Sequence, residues 1–203
     1  LRILTMIYDF TLAETLRLAN VRRWGIVEMS RQQSVAEHTC NVMLIALNIA
    51  ETYNEIIVAD KLDGNNTCKP INEKQMAALM KACLTHDLPE IYSGDIPTPT
   101  KRAIGRPAFQ EWERWRFPLL TQLIDSLDPV LAKVKGIADV YEAILYVRKW
   151  CVDGRADMII TDLRGVMSES LCRADGLKPA ELATLARAMR RVEAESTKHG
   201  GMS

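Results

Sequence analysis

Thiol pairs, surplus charge and long apolar runs are all missing from this sequence of 203 residues. Its five cysteines (Cys40, Cys68, Cys83, Cys151 and Cys172) are odd in number and scattered, with no C-x-x-C pair. That excludes a thiolate zinc site and fits reduced, mostly buried thiols in a cytoplasmic protein. Lysine plus arginine equals aspartate plus glutamate, 26 against 26. With no net charge there is no global attraction to a nucleic acid polymer or an acidic membrane, so any anion site must be a local cluster. No apolar run approaches the ~20 residues that span a bilayer. The longest, Val42–Ala50, is broken by Asn48 and reads as a buried helix face. Leu1-Arg2-Ile3 lacks the order expected of a signal peptide, a basic, then an apolar, then a small-residue stretch.

What is present is ordinary globular composition, 48% apolar and 26% charged, arranged with helical periodicity. The expectation is one all-α domain, a helical bundle over residues 1–197, followed by a disordered tail at 198–203. A first helix is expected over Thr5–Asn20. A second starts at the capping box Ser34-Val35-Ala36-Glu37 and runs to about Tyr53. Residues 54–71, with Asp63-Gly64-Asn65-Asn66 and Pro70, read as a loop. Asn72, with Gln75 three residues on, caps a helix that ends around His86, because Pro89 pushes the residue before it out of the helical region. Four of the eight prolines (Pro89, Pro97, Pro99 and Pro107) stiffen the stretch that follows, so Ser93–Thr100 is a shaped loop able to position something. Further helices are expected over 107–127, 138–150, 151–171 and 179–195.

Three histidines exist, and His199 falls in the tail. His38 lies in the first turn of a helix, and His86 is followed directly by Asp87. Adjacent helical residues point about 100° apart, so both can reach one ion only where the helix ends, and Pro89 supplies that end. An imidazole with a carboxylate suits a borderline divalent ion such as Mn²⁺, Co²⁺ or Zn²⁺, with Mg²⁺ also open.

Arg23-Trp24, then Ser34-Val35-Ala36-Glu37-His38, then His86-Asp87-Leu88-Pro89-Glu90, then Gly94-Asp95-Ile96-Pro97-Thr98-Pro99 follow one another in this chain. In that order and spacing the sequence resembles the HD-domain metal-dependent phosphohydrolases. Within them it resembles the branch of bacterial 5′-deoxynucleotidases and phage dATP triphosphohydrolases. The resemblance implies a single divalent ion held by His38, His86, Asp87 and a later aspartate in an alanine-aspartate context. Arg155-Ala156-Asp157-Met158 matches that context. Asp153 competes from one turn earlier, but the apolar Met158, Ile159 and Ile160 favour Asp157 as the buried ligand. Glu90 takes the proton-transfer role. The resemblance further implies that Arg23 contacts the phosphate or the sugar, with Arg31 and Lys101 as additional cations, and that Asp95 accepts a sugar 3′-hydroxyl in a wall that excludes ribose. Trp24 and Ile26 border the base, and Thr98 completes the substrate contacts.

The resemblance therefore implies a hydrolase of 2′-deoxynucleotides, with a 5′-deoxynucleotidase releasing phosphate from monophosphates as the leading reading. The alternative is a triphosphohydrolase releasing triphosphate from a dATP-type substrate, for which Lys101, Arg102 and Arg106 are available cations. A non-catalytic nucleotide-binding module stands last, since it predicts a broken ligand set. Relatives of this branch self-associate, and residues 107–150 offer Trp112, Trp115, Phe117 and Trp150 for a homo-oligomer.

Overall fold

The computed structural model describes residues 6–7, 9–62 and 67–199. It opens not with the expected long helix but with a small hairpin. Strands β1 (Met6–Ile7) and β2 (Phe10–Thr11) pair antiparallel, with Ile7 opposite Phe10. Thr11 then caps the short helix α1 (Leu12–Thr15): its hydroxyl accepts from the Glu14 amide, and Glu14 reaches back to the Thr11 amide at 2.9 Å. A strong cap at Thr11 starts a helix there and so forbids one running through it. A 3₁₀ turn, Leu16–Asn20, completes the segment.

Helix α2 (Val35–Leu62) is the central element, and it runs nine residues past the expected end. The apolar phase continues through the buried Ile56 and Ile57. Asn54 lies inside this helix and clamps the returning chain, donating to the Ile71 carbonyl (2.8 Å) and accepting from the Ile71 amide (2.7 Å). The helix is capped by the Ser34 hydroxyl, which accepts from the Glu37 amide. The Glu37 side chain does not close the expected box; it pairs with Arg31 instead. By length and composition α2 could cross a membrane; here it carries buried residues of the main core, with α3, α8 and α10 packed around it. The turn expected at Asp63–Asn66 and the tail residues Gly200–Ser203 lie outside the described residues.

Helix α3 (Glu73–Thr85) carries the Asn72–Gln75 capping box read from the sequence. After it the chain turns through His86–Pro89 into α4 (Glu90–Ser93). The proline-rich stretch is extended only as far as Pro97, for α5 (Thr98–Ile104) begins with Pro99 in its first turn, where the missing N–H has no partner to lose. Helices α6 (Arg106–Arg116) and α7 (Pro118–Asp125) replace one expected helix, because Pro118 breaks it at Phe117. Asp128 caps α8 (Pro129–Trp150), which starts nine residues earlier than expected. Helices α9 (Ala156–Cys172) and α10 (Pro179–His199) follow; α9 is separate from α8. The break at Cys151–Arg155 is held by the segment before α2, through Ser30 to the Trp150 carbonyl and Val152 to the Glu28 carbonyl.

Two apolar clusters result. The larger joins α2, α3, α8, α9 and α10 around fully buried Ile49, Leu79, Ile137, Ile144 and Leu185. Each such side chain contributes ~1.5–3 kcal/mol on leaving water. The smaller joins Phe10, Leu18, Val35, Leu88, Phe117 and Leu120. It pins the N-terminal hairpin against the turn that carries His86 and Asp87, with Phe10 stacked on Phe117 at 4.7 Å between ring centroids.

Candidate metal centre

The first turn of α2, the turn after α3 and the middle of α8 converge. His38 is fully buried; His86 and Asp87 are partly so. One ligand atom from each of these three lies within 4.8 Å of the others. The His38 Nε2 is 3.5 Å from an Asp87 oxygen and 3.1 Å from an oxygen of Asp139, on α8. The His86 Nε2 stands 3.4 Å from Asp87 and 4.0 Å from Asp139. Both Nε2 atoms are buried, and among the described residues neither meets a partner with hydrogen-bond geometry, close as the carboxylates are. Buried polar atoms are almost always satisfied. Two orphaned imidazole nitrogens facing two carboxylates form a donor set that fits a divalent cation.

The second carboxylate that the structure brings beside both histidines is Asp139, where the sequence reading expected Asp157. Because α8 starts at Pro129, Asp139 lies in mid-helix, on the side that packs against α2 and α3. Asp157 sits exposed in the first turn of α9, where an acid suits the positive end of the helix dipole in solvent. Asp153 is taken by Arg155. The dipeptide Ala-Asp occurs four times in the chain, at Asp60, Asp139, Asp157 and Asp175, so local context could not choose among them.

Each histidine is oriented from behind. The His86 Nδ1 donates to the Cys83 carbonyl at 2.8 Å, which leaves its Nε2 lone pair for the cluster. Burial lowers the His86 pKa to about 4, against the pull of Asp87, so the ring is neutral. The His38 Nδ1 lies 2.6 Å from Glu142, a buried carboxylate on α8. Burial pushes the His38 imidazolium down, but the Asp139 and Glu142 carboxylates outweigh it and lift the pKa to about 9. Burial opposes the charge of Asp87 and Asp139 too, and the two histidines hold both carboxyls below their ordinary range.

Glu90 opens α4, buried, with one oxygen accepting from Lys101 at 3.2 Å and the other without a partner among the described residues. Burial, with Asp87 close by, raises its pKa to about 8 despite Lys101. A cavity of about 190 Å³ lies alongside, lined by His86, Asp87, Glu90 and Lys101 and walled by Ile96, Phe109 and Trp112.

The other expected substrate residues divide. The Asp95 carboxylate accepts from the Trp24 amide at 3.2 Å, tying the proline loop to the segment before α2. Trp24 adopts a left-handed backbone (φ 66°), a conformation uncommon for a non-glycine residue and concentrated at functional sites. Its ring lies parallel to Tyr146 at 6.2 Å and donates to Gln33. Arg23 is turned inward onto Gln33 and Glu142. Ile26 and Thr98 are exposed, and Arg31 is spent on Glu37. The side chains of Arg102 and Arg106 lie outside the described set. Sequence reasoning missed Asp139, Glu142 and Gln33. The signal for the first two was two acids three residues apart inside the apolar run Ile137–Val147, where a charge needs a partner.

A helical bundle that gathers two histidines and two aspartates at one point is the architecture of the HD phosphohydrolases. The cyanophage S-2L HD phosphohydrolase DatZ, solved with dA and one catalytic Zn²⁺ ion, superposes with a TM-score of 0.71. At 23% identity it covers 90% of this chain and 96% of its own, a likeness of fold. The model of the 5′-deoxynucleotidase YfbR-like family matches residues 11–112, half of the sequence, and the chain belongs to that family. A dATP triphosphohydrolase of Salmonella phage PMBT28 is 30% identical over 66% of this chain and 64% of its own length. A 5′-deoxynucleotidase of Enterobacter sp. strain 638 is 32% identical over 42% of this chain and 36% of its own. The chain thus spans just under two thirds of the first relative and about a third of the second.

Proposed function

We propose that this protein is a divalent-metal-dependent hydrolase of 2′-deoxynucleotides, acting at the α-phosphate. The observation that carries the reading is the pair of buried, unbonded Nε2 atoms of His38 and His86 facing Asp87 and Asp139. A divalent ion held by these four residues would supply Lewis acidity to a phosphoryl oxygen and to water near neutral pH. Asp87 and Asp139 together balance the two charges of such an ion, so the substrate phosphate needs a further cation. Lys101, half-buried at the cavity wall, supports that role.

Glu90 moves the proton. Its oxygen away from Lys101 lies beside the cavity, and burial favours the protonated carboxyl, which can pass its proton to the departing 5′-oxygen. Lys101 steadies the other oxygen. Asp95 has one oxygen committed to Trp24, leaving the second to accept from a sugar 3′-hydroxyl. The prolines that stiffen its loop support rejection of a ribose 2′-hydroxyl, because a wall that yields cannot exclude.

Phosphate release from monophosphates is the leading reaction, supported by the family to which the chain belongs. Triphosphate release from a dATP-type substrate is favoured by a different observation: the phage relative aligns over 66% of the chain, the bacterial nucleotidase over 42%. The reading includes self-association, supported by the exposed Trp115 and Leu119 on α6 and α7. Incubation of the metal-stripped protein with dAMP, AMP, dATP and ATP, each with Mn²⁺, Co²⁺ or Zn²⁺, tests the proposal. Phosphate from dAMP or tripolyphosphate from dATP, with the ribonucleotides turned over far less, is expected. No turnover with any metal, with nucleotide still bound, would leave a non-catalytic binding module.

A further inference from the structure

Glu142 is 3% exposed, on α8 one turn beyond Asp139. Both its oxygens are fully used. One accepts from the Gln33 amide at 2.6 Å and the Asn41 amide at 3.1 Å. The other faces the His38 Nδ1 at 2.6 Å and the Arg23 guanidinium at 3.2 Å. Those four partners come from α2 and from the segment before it, so the carboxylate is pinned from two directions. A guanidinium and an amide nitrogen can only donate. Every contact to Glu142 thus runs toward it; the Arg23 guanidinium also lies 2.5 Å from the His38 Nδ1, and by donating to Glu142 it leaves Nδ1 to donate to the same carboxylate.

We propose that Glu142 is a positioning residue for the metal centre: by accepting from Nδ1 it fixes the ring orientation and tautomer of His38, leaving Nε2 as the ligand atom. The inference rests on the reading of His38 as a metal ligand. The two histidines are then held by different devices, His86 by a main-chain carbonyl and His38 by a side-chain carboxylate. The second device has a further consequence. Arg23 and Gln33 share Glu142 with His38, and Gln33 also accepts from the Trp24 indole at 3.0 Å. The segment expected to meet the substrate is therefore registered against a metal ligand through one carboxylate. An outer partner of this kind is worth ~10–100-fold in metal affinity.

The test is a cycle of Mn²⁺ dissociation constants by electron paramagnetic resonance on the full chain: wild type, E142Q, H38A and H38A/E142Q, with helicity checked by circular dichroism. Glu142→Gln keeps the shape, but its carboxamide has only one acceptor oxygen for four donors. It is expected to weaken Mn²⁺ binding ~10–100-fold in the wild-type background and to leave H38A unchanged. Glu142→Asp keeps the charge and withdraws it by one methylene; it is expected to weaken binding too, and covers the case in which the glutamine variant does not fold. Unaltered Mn²⁺ affinity in either folded variant would overturn the inference. So would an equal loss from E142Q with and without His38, which would mean that Glu142 acts through the fold at large. Failure of the underlying reading has another signature, Mn²⁺ affinity indifferent to H38A itself, and the inference falls with it.

Discussion

Replacement of Asp139 and of Asp157 by alanine separates the arrangement seen in the structure from the one the sequence suggested. Asp139 lies 3.1 Å from His38 and 4.0 Å from His86, whereas Asp157 is exposed at the start of α9. Loss of an outer partner costs ~10–100-fold in metal affinity, so loss of a coordinating carboxylate should cost at least about 100-fold. An ion that binds only the native state stabilises it by RT ln(1 + [L]/Kd), or ~2.7 kcal/mol at a hundred times Kd. For a domain of this size each kcal/mol moves the melting temperature by ~2–4 °C. With Mn²⁺ at about a hundred times the wild-type Kd, the wild type should gain ~5–11 °C over its metal-stripped form. For Asp139→Ala the same concentration only equals the weakened Kd, leaving ~0.4 kcal/mol and a gain of ~1–2 °C. Asp157→Ala should keep the whole gain. Differential scanning fluorimetry with and without Mn²⁺ reads this directly, and any change in intrinsic stability cancels because each variant is its own reference. A full gain in Asp139→Ala, or its loss in Asp157→Ala, would refute the assignment.

Glu90→Gln cannot transfer a proton and should lower kcat by ~10²–10⁴ while the Mn²⁺-induced rise in melting temperature stays; a steady-state assay beside the same melts would expose a ligand role if both were lost. Phe117→Ala removes a ring that packs on Phe10 and edge-on against Trp112 at 5.4 Å. It should cost ~3–5 kcal/mol in urea unfolding; less than about 1 kcal/mol would mean that the smaller cluster does not hold the N-terminal hairpin. The Tyr92 hydroxyl and the Thr11 amide lower the Glu14 carboxyl from 4.5 to about 2. A carboxyl depressed by folding contributes stability above its unfolded pKa and loses it as the pH falls through the folded one. Glu14→Gln should therefore narrow the stability difference between pH 5 and pH 2 relative to wild type, by an amount kept small by solvent exposure; an unchanged acid limb in thermal melts would contradict the pairing.

The turn after α3 shows how much could be read in advance. The Asn72–Gln75 box and Pro89 are local signals, acting over three or four residues, and they delimit α3 and free His86 and Asp87 from the helix. The first helix failed because Met6, Ile7 and Phe10 satisfy either period over so short a run. The choice fell to Thr11 as a cap and to Phe117, more than a hundred residues away. Helix α8 begins at Pro129 and not at Ala138, because Asp128 caps it and the buried Val130, Leu131 and Val134 carry its apolar phase back past Gly136. An alanine-aspartate pair on a later helix describes Asp139 as well as Asp157, and only the packing of α8 against α2 and α3 brings Asp139 to the histidines.

Residue chemistry and short-range spacing suffice to establish a mainly helical chain, a histidine–aspartate pair freed at a helix end, and a stiff loop beside it, since caps, prolines and apolar periods act over a few residues. Which aspartate faces those histidines, and that Glu142 stands behind one of them, is a matter of which side of α8 meets α2 and α3. Packing of whole helices decides that, and four identical Ala-Asp pairs in one sequence carry no trace of it.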